Sequence, residues 1–148
     1  MQFFRPILLI DGILLTILGF FMLVPGLVDL AAGNPDWKVF LAAATVPTFV
    51  GAALSISHWG FSGDISLRQA FALITFSWVA AVTFAALPFV FSGLGMSFTD
   101  AFFEAMSGLT TTGSTVIVHL DIAPPGLLLW RAILQWLGGI GIILMAVA

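Results

Sequence analysis

The chain has 148 residues, 61% hydrophobic and 7% charged, with a mean hydropathy of +1.19. So few charges cannot cover a water-soluble domain, which places the chain in a membrane. The net charge is −3, and Arg5, Lys38, Arg68 and Arg131 stand singly, which excludes nucleic-acid binding through a clustered basic surface, while the lack of cysteine excludes disulfides and thiolate metal centres.

Apolar runs fall at 7–30, 37–57, 67–91 and 126–148. Each is near the roughly 20 residues that cross a hydrocarbon core of about 30 Å, so four transmembrane helices are expected. The first begins as a signal peptide would, with Arg5 ahead of Ile7 to Val24, but it is long, carries Asp11 and lacks a small-x-small cleavage site, so it reads as a retained helix. Asp11 lies near the helix end, where a carboxylate reaches the interface or pairs with another helix. Pro25-Gly26 and then Gly33-Asn34-Pro35-Asp36 mark the first connection, and His58 to Ser66 the second.

The second connection contains Gly60-Phe61-Ser62-Gly63, the form of an intramembrane serine protease's nucleophile site. Four residues with two glycines are easily met by chance, and no histidine base follows in an apolar segment. No enzyme is expected. His58 and His119 are isolated, without a partner at metal-ligand spacing.

Ser97 to Leu109 breaks the pattern. Thirteen helical residues reach only about 20 Å, too short to span, so a re-entrant helix is expected. Ser97-Phe98-Thr99-Asp100 is a capping-box signature, and Phe98, Phe102, Ala105, Met106 and Leu109 recur at helical spacing as one apolar face. The polar run Thr110-Thr111-Thr112-Gly113-Ser114-Thr115 follows. At membrane depth such backbone must face water, protein or an ion, and the layout is that of an ion filter. Backbone carbonyls of Thr111, Thr112, Gly113 and Ser114 are the expected ligands, with Thr110 and Thr115 as support. Gly113 permits positive φ, and the helix before it turns its partly negative carbonyl end toward the path. Oxygen ligands suit a hard cation.

Asp121 and Pro124-Pro125-Gly126 lead into the last helix. There Arg131 needs a partner, from Asp121, Glu104 or a further unit. Trp130 and Trp136 read as interfacial anchors or packing groups, and Gly138, Gly139 and Gly141 as close-packing positions. Positive charge ties between the two sides. A cytoplasmic amino terminus is preferred, since it puts most carboxylates outside, ahead of the filter.

Ala101-Phe102-Phe103-Glu104-Ala105-Met106-Ser107-Gly108-Leu109, the polar run after it, Leu129-Trp130-Arg131 and Gln135-Trp136-Leu137-Gly138-Gly139-Ile140-Gly141-Ile142 together resemble the Trk/Ktr/HKT potassium-transporter superfamily, most closely its TrkH type. The resemblance is strongest over 97–148, and two extra amino-terminal helices are also a TrkH-type feature. It implies potassium uptake in the bacterial inner membrane by four non-identical pore-loop units around one path. K+ would be held at Thr111, Thr112 and Gly113, with no organic cofactor. The resemblance also implies a dimer of complete subunits and a cytoplasmic nucleotide-binding regulatory partner. In this family a serine at the filter glycine goes with sodium passage, so Gly113 points to potassium; Ser114 stands where alanine is commoner.

The expected fold is therefore an all-α membrane protein: a two-helix hairpin over 1–66, then a pore-loop unit over 67–148 made of helix 67–91, pore helix 97–109, filter 110–115 and helix 126–148. One filter cannot enclose an ion, and the chain stops within an apolar run, so the expectation is an amino-terminal part of a longer transporter whose other pore-loop units complete the ring. A small structural or assembly subunit without its own path is the alternative.

Overall fold

The computed structural model describes residues 3–60 and 65–147, with side chains described as far as Gly141. Among the described residues the chain is helical, without strands. The helices are α1 (Arg5–Ala31), α2 (Trp37–Ser57), α3 (Leu67–Ala85), α4 (Leu87–Phe91), α5 (Phe98–Leu109) and α6 (Pro125–Val147), with a single 3-10 turn at Leu120–Ile122. Three spans, Arg5–Ala31, Trp37–Ser57 and Leu67–Phe91, are long and apolar enough to cross a membrane. The backbone of α6 runs for 23 residues, about 35 Å at 1.5 Å per residue.

α1 and α2 form an antiparallel hairpin whose seam is set by glycine. Gly12, Gly19 and Gly26 recur every seventh residue, the spacing that keeps one stripe of a helix against its neighbour. A Cβ at Gly12 would stand 2.7 Å from the Gly51 carbonyl oxygen, one at Gly19 would strike Thr48, and one at Gly26 would press on Phe40 Cβ at 3.1 Å. In lipid, where apolar surface gains little by leaving a solvent as apolar as itself, this close approach of backbones drives association.

Two boundaries differ from expectation. Pro25-Gly26 does not end the first helix, which continues to Ala31 with Pro25 buried, so only residues 32–36 form the connection. Packing against α2 holds the helix through the proline, as neighbouring helices commonly do in membranes. The segment 67–91 is interrupted at Ala86, because Pro88 has no N–H to continue the ladder. Trp130 reaches into this break: its indole N–H donates to the Ala85 carbonyl at 3.0 Å, and its ring meets Phe40 edge-on at 6.5 Å. Fully buried, Trp130 is a packing group, whereas Trp136 is exposed.

The core joins all segments. Leu15, Leu18 and Met22 of α1, Phe40 and Ala44 of α2, Val82 and Ala85 of α3, Phe89 of α4, Ala101 and Ala105 of α5, and Leu127, Trp130 and Leu134 of α6 belong to one cluster. Two carboxylates of α1 extend the hairpin's contacts beyond α2. Asp11 accepts a hydrogen bond from Ser77 of α3, pairing with another helix. Asp29 accepts from the Gly126 N–H at 2.7 Å, satisfying one of the free donors at the start of α6. The Gly60-Phe61-Ser62-Gly63 pattern falls largely on residues 61–64, outside the described residues.

Gly19→Val in the complete protein should cost about 1–3 kcal/mol, since the overpacked seam must spread. A lowered thermal midpoint in detergent is the expected result; an unchanged midpoint would mean the seam tolerates a side chain.

Candidate functional site

The polar run is built outward from α5. At its start the Ser97 hydroxyl accepts from the Asp100 N–H at 3.1 Å and donates to the Asp100 carboxylate at 2.7 Å. This is half of the expected reciprocal box, because the carboxylate takes the hydroxyl and not the Ser97 N–H. The complete box occurs at α3, where Ser66 caps Gln69 and Gln69 Oε1 accepts from the Ser66 N–H at 2.9 Å.

Most of the expected apolar face of α5 packs: Ala105 and Leu109 lie in the core and Phe102 and Met106 pack against it, with Phe98 the exception. The enclosed side also takes in small and polar residues. Ala101, Glu104, Ala105, Ser107 and Gly108 are buried, while Phe98 and Phe103 are exposed. In a membrane the aromatic side can turn outward, and the small and polar residues must be enclosed by protein. Against α6, Glu104 meets Arg131, a Cβ at Gly108 would touch Leu134 at 3.1 Å, and one at Gly138 would overlap the Leu109 carbonyl. The two helices therefore run in the same direction, and α5 ends beside the fourteenth of the 23 residues of α6. Gly139 and Gly141, also expected as packing positions, have nothing within 4 Å among the described residues.

At the carboxyl end of α5 the chain turns through a Schellman motif. The Thr112 N–H donates to the Ser107 carbonyl at 3.0 Å and the Thr111 N–H to the Gly108 carbonyl at 2.9 Å. Thr111 holds the left-handed position, φ 59°, where glycine is usual and a β-branched residue is strained. Gly113 takes φ 80°. The Thr110 N–H bonds Met106 at 2.8 Å and the Gly113 N–H bonds Ser107 at 3.3 Å, so four successive amides, 110 to 113, all point back into α5. Among the described residues the carbonyls of Thr110, Thr111, Thr112 and Gly113 accept no hydrogen bond. The donors of this stretch are thus all used within the protein, and these four acceptors are not.

Side chains hold this backbone in place. Ser107 Oγ donates to the Ser114 carbonyl at 2.6 Å, so that carbonyl is already engaged. Thr110 Oγ1 bonds the Met106 carbonyl at 2.8 Å and lies 2.8 Å from Thr112 Oγ1. Glu104, with no solvent exposure, is the central anchor. One carboxylate oxygen takes the Arg131 Nε–H; the other accepts from Thr115 Oγ1 and from the Val116 N–H, both at 3.0 Å. Thr115 Oγ1 in turn accepts from the Ile117 N–H at 3.1 Å. Arg131 thus finds its partner in Glu104, and its Nη2 is buried without a partner among the described residues.

Three contributors were not singled out from sequence: Ser107, Asp29, and Gln135, whose Nε2 lies 3.9 Å from where a Gly113 Cβ would stand. The helical spacing of Arg131 and Gln135, four residues apart on α6, hinted that the latter shares the side facing the polar run. His58 bonds its own helix through Nδ1 at 2.9 Å, and His119 stands in the loop before the 3-10 turn with φ 60°. Among the described residues no group of three His or acidic side chains is arranged to hold a metal.

Comparison with known proteins gives a consistent match. The TrkH family model, described as a cation transport protein, matches residues 37–148. The chain is 41% identical over 143 residues to the Trk system potassium uptake protein TrkI of Halomonas elongata, covering 97% of this chain and 29% of that protein. It is 39% identical over 146 residues to TrkH of Escherichia coli K12, covering 98% and 30%. The crystal structure of the potassium transporter TrkH from Vibrio parahaemolyticus superposes with a TM-score of 0.92 at 39% identity, over 99% of this chain and 31% of that one. The chain thus spans about three tenths of the length of the relatives it matches.

Removing one member of the Glu104–Arg131 pair leaves a buried charge uncompensated. Arg131→Met should therefore destabilise the complete protein by about 3–5 kcal/mol. Adding Glu104→Gln should restore part of the loss, read as positive coupling in a double-mutant cycle of thermal or denaturant stability. Additive losses would mean the pair is not coupled.

Proposed function

Because the chain belongs to the TrkH family of cation transport proteins, we propose that it carries the first pore-loop unit of a potassium-translocating subunit in the bacterial inner membrane. On this reading α3 with α4 is the outer helix of the unit, α5 is the re-entrant pore helix, residues 110–115 are the filter and α6 is the inner helix, while the α1–α2 hairpin over 1–66 braces the unit from the side. Support for the re-entrant path comes from the pairing of α5 with the first half of α6, followed by the return of Thr115 and Val116 to Glu104.

The observation that carries the proposal is the row of four carbonyls, Thr110 to Gly113, left without donors while their own amides are all bound. Carbonyl oxygens so arranged replace the water shell of K+, and they act by coordination without any bond being made or broken. The proposed ligands are Thr111, Thr112, Gly113 and Ser114, with the carbonyl of Thr110 added; the Ser114 carbonyl also accepts from Ser107 and keeps a second lone pair. Positive φ at both Thr111 and Gly113 sets this backbone apart from an extended strand.

A single row supplies one side of an ion's shell. Three further pore-loop units would close the ring, and Arg131 Nη2, buried and without a partner among the described residues, would be available to donate to one of them. The resemblance also implies assembly as a dimer and control by a cytoplasmic nucleotide-binding partner.

Gly113→Ser tests the filter. A Cβ there would have room, 3.9 Å from its nearest neighbour, so the effect comes through φ alone, at about 1–2 kcal/mol of left-handed strain. In the complete transporter, potassium selectivity over sodium should fall about tenfold in flux measurements, as about 1.4 kcal/mol corresponds to a factor of ten. Wild-type selectivity in a correctly inserted mutant would refute the assignment.

A further inference from the structure

The end of the bundle far from the filter loop carries a second feature. There α1 begins, α2 ends and α3 begins, and the Gln69 amide donates to the Phe3 carbonyl at 3.0 Å, tying the two helix starts together. Arg5 and Arg68, each in the first turn of its helix and each exposed, flank that tie. Neither forms an ion pair among the described residues. Between α1, α2 and α3 a cavity of about 420 Å³ opens, lined by Phe4, Ile7, Leu54, Phe76, Ala80 and Phe84 among others, and almost wholly apolar. Asp11 borders it, but its carboxylate is bonded to Ser77.

The described carboxylates Asp29, Asp36, Asp100, Glu104 and Asp121 belong to the other half of the molecule; at this end Asp11 is bonded to Ser77, Asp64 lies outside the described residues, and the described exposed charges are Arg5 and Arg68. Exposed Trp59, at the end of α2, and exposed Phe3 and Phe4 add the aromatic residues that sit at headgroup level. An apolar slot between α1, α2 and α3, with two arginines at the same end of the bundle and unpaired among the described residues, matches one ligand chemistry: a fatty chain attached to an anionic phosphate.

We propose that this groove binds a phospholipid of net negative charge, with one acyl chain between α1, α2 and α3 and the phosphate between Arg5 and Arg68. Arginine suits the headgroup because its planar fork donates two parallel hydrogen bonds to phosphate oxygens. The chain fills apolar space that would otherwise separate α1 from α3, so the lipid acts as a wedge fixing the hairpin against the pore-loop unit.

The test uses the complete protein, purified and delipidated, with native mass spectrometry in the presence of palmitoyl-oleoyl phosphatidylglycerol or the matching phosphatidylcholine. Phosphatidylglycerol should be retained in preference, and Arg5→Gln with Arg68→Gln should weaken its retention about tenfold, since each cation near an anionic headgroup contributes separately. Ala80→Phe, which fills the groove and leaves both arginines in place, should also release the lipid. Equal retention of the two lipids, retention unaffected by the arginine pair or by Ala80→Phe, or no lipid retained because another part of the protein covers the groove, each overturns the proposal.

Discussion

Glu104 is the residue on which the site depends. One carboxylate oxygen is given to α6 through Arg131 and the other to the returning strand through Thr115 and the Val116 amide, so a single buried group sets the distances among α5, the polar loop and α6. An ionised carboxylate away from water is costly unless it is paired and hydrogen-bonded, and here a guanidinium and two further donors engage both oxygens. Its burial therefore selects one arrangement of the three segments. The loop need not be stiff in itself, because both of its ends are fixed: the first by the Schellman turn onto Ser107 and Gly108, the second by Glu104.

The glycines serve the same end by a different means. Gly108 and Gly138 remove the side chains that would separate α5 from α6, which brings the α5 terminus beside the middle of α6. Gly12, Gly19 and Gly26 do this for the hairpin, and the carboxylates of Asp11 and Asp29 then attach the hairpin to α3 and α6. In each case contact is gained by removing atoms, and polar groups fix the register.

Much of this was legible in the residues. Run lengths gave the long helices, Ser97 gave the start of α5, and the run from Thr110 to Thr115 stood out because hydroxyls and a glycine are foreign to an apolar chain. What stayed hidden depended on tertiary contact. The helix persists through Pro25 only because Phe40 and its neighbours hold it, and no local rule reports that. Periodicity found Ala105 and Leu109 of the packed side of α5, but not that Glu104, Ser107 and Gly108 are enclosed with them, because polar and small residues carry no hydrophobic signal. Thr111 could not be foreseen in a left-handed conformation, since its propensity opposes it and only the clamp on either side makes it stay. The glycine heptad was present in the sequence, but its meaning needed the partner helix.

Glu104 and Arg131 are also separated in time. A ribosome delivers the carboxylate 27 residues before the cation that neutralises it. Until α6 emerges, the turn at Thr111 can close on Ser107 and Gly108, but the carboxylate that anchors the returning strand lacks its cation. The hairpin of α1 and α2, whose seam needs only those two helices, has no such wait. Assembly of the unit accordingly has an order: a hairpin that can form as soon as it is made, and a loop whose buried anchor is complete only when its counter-ion arrives.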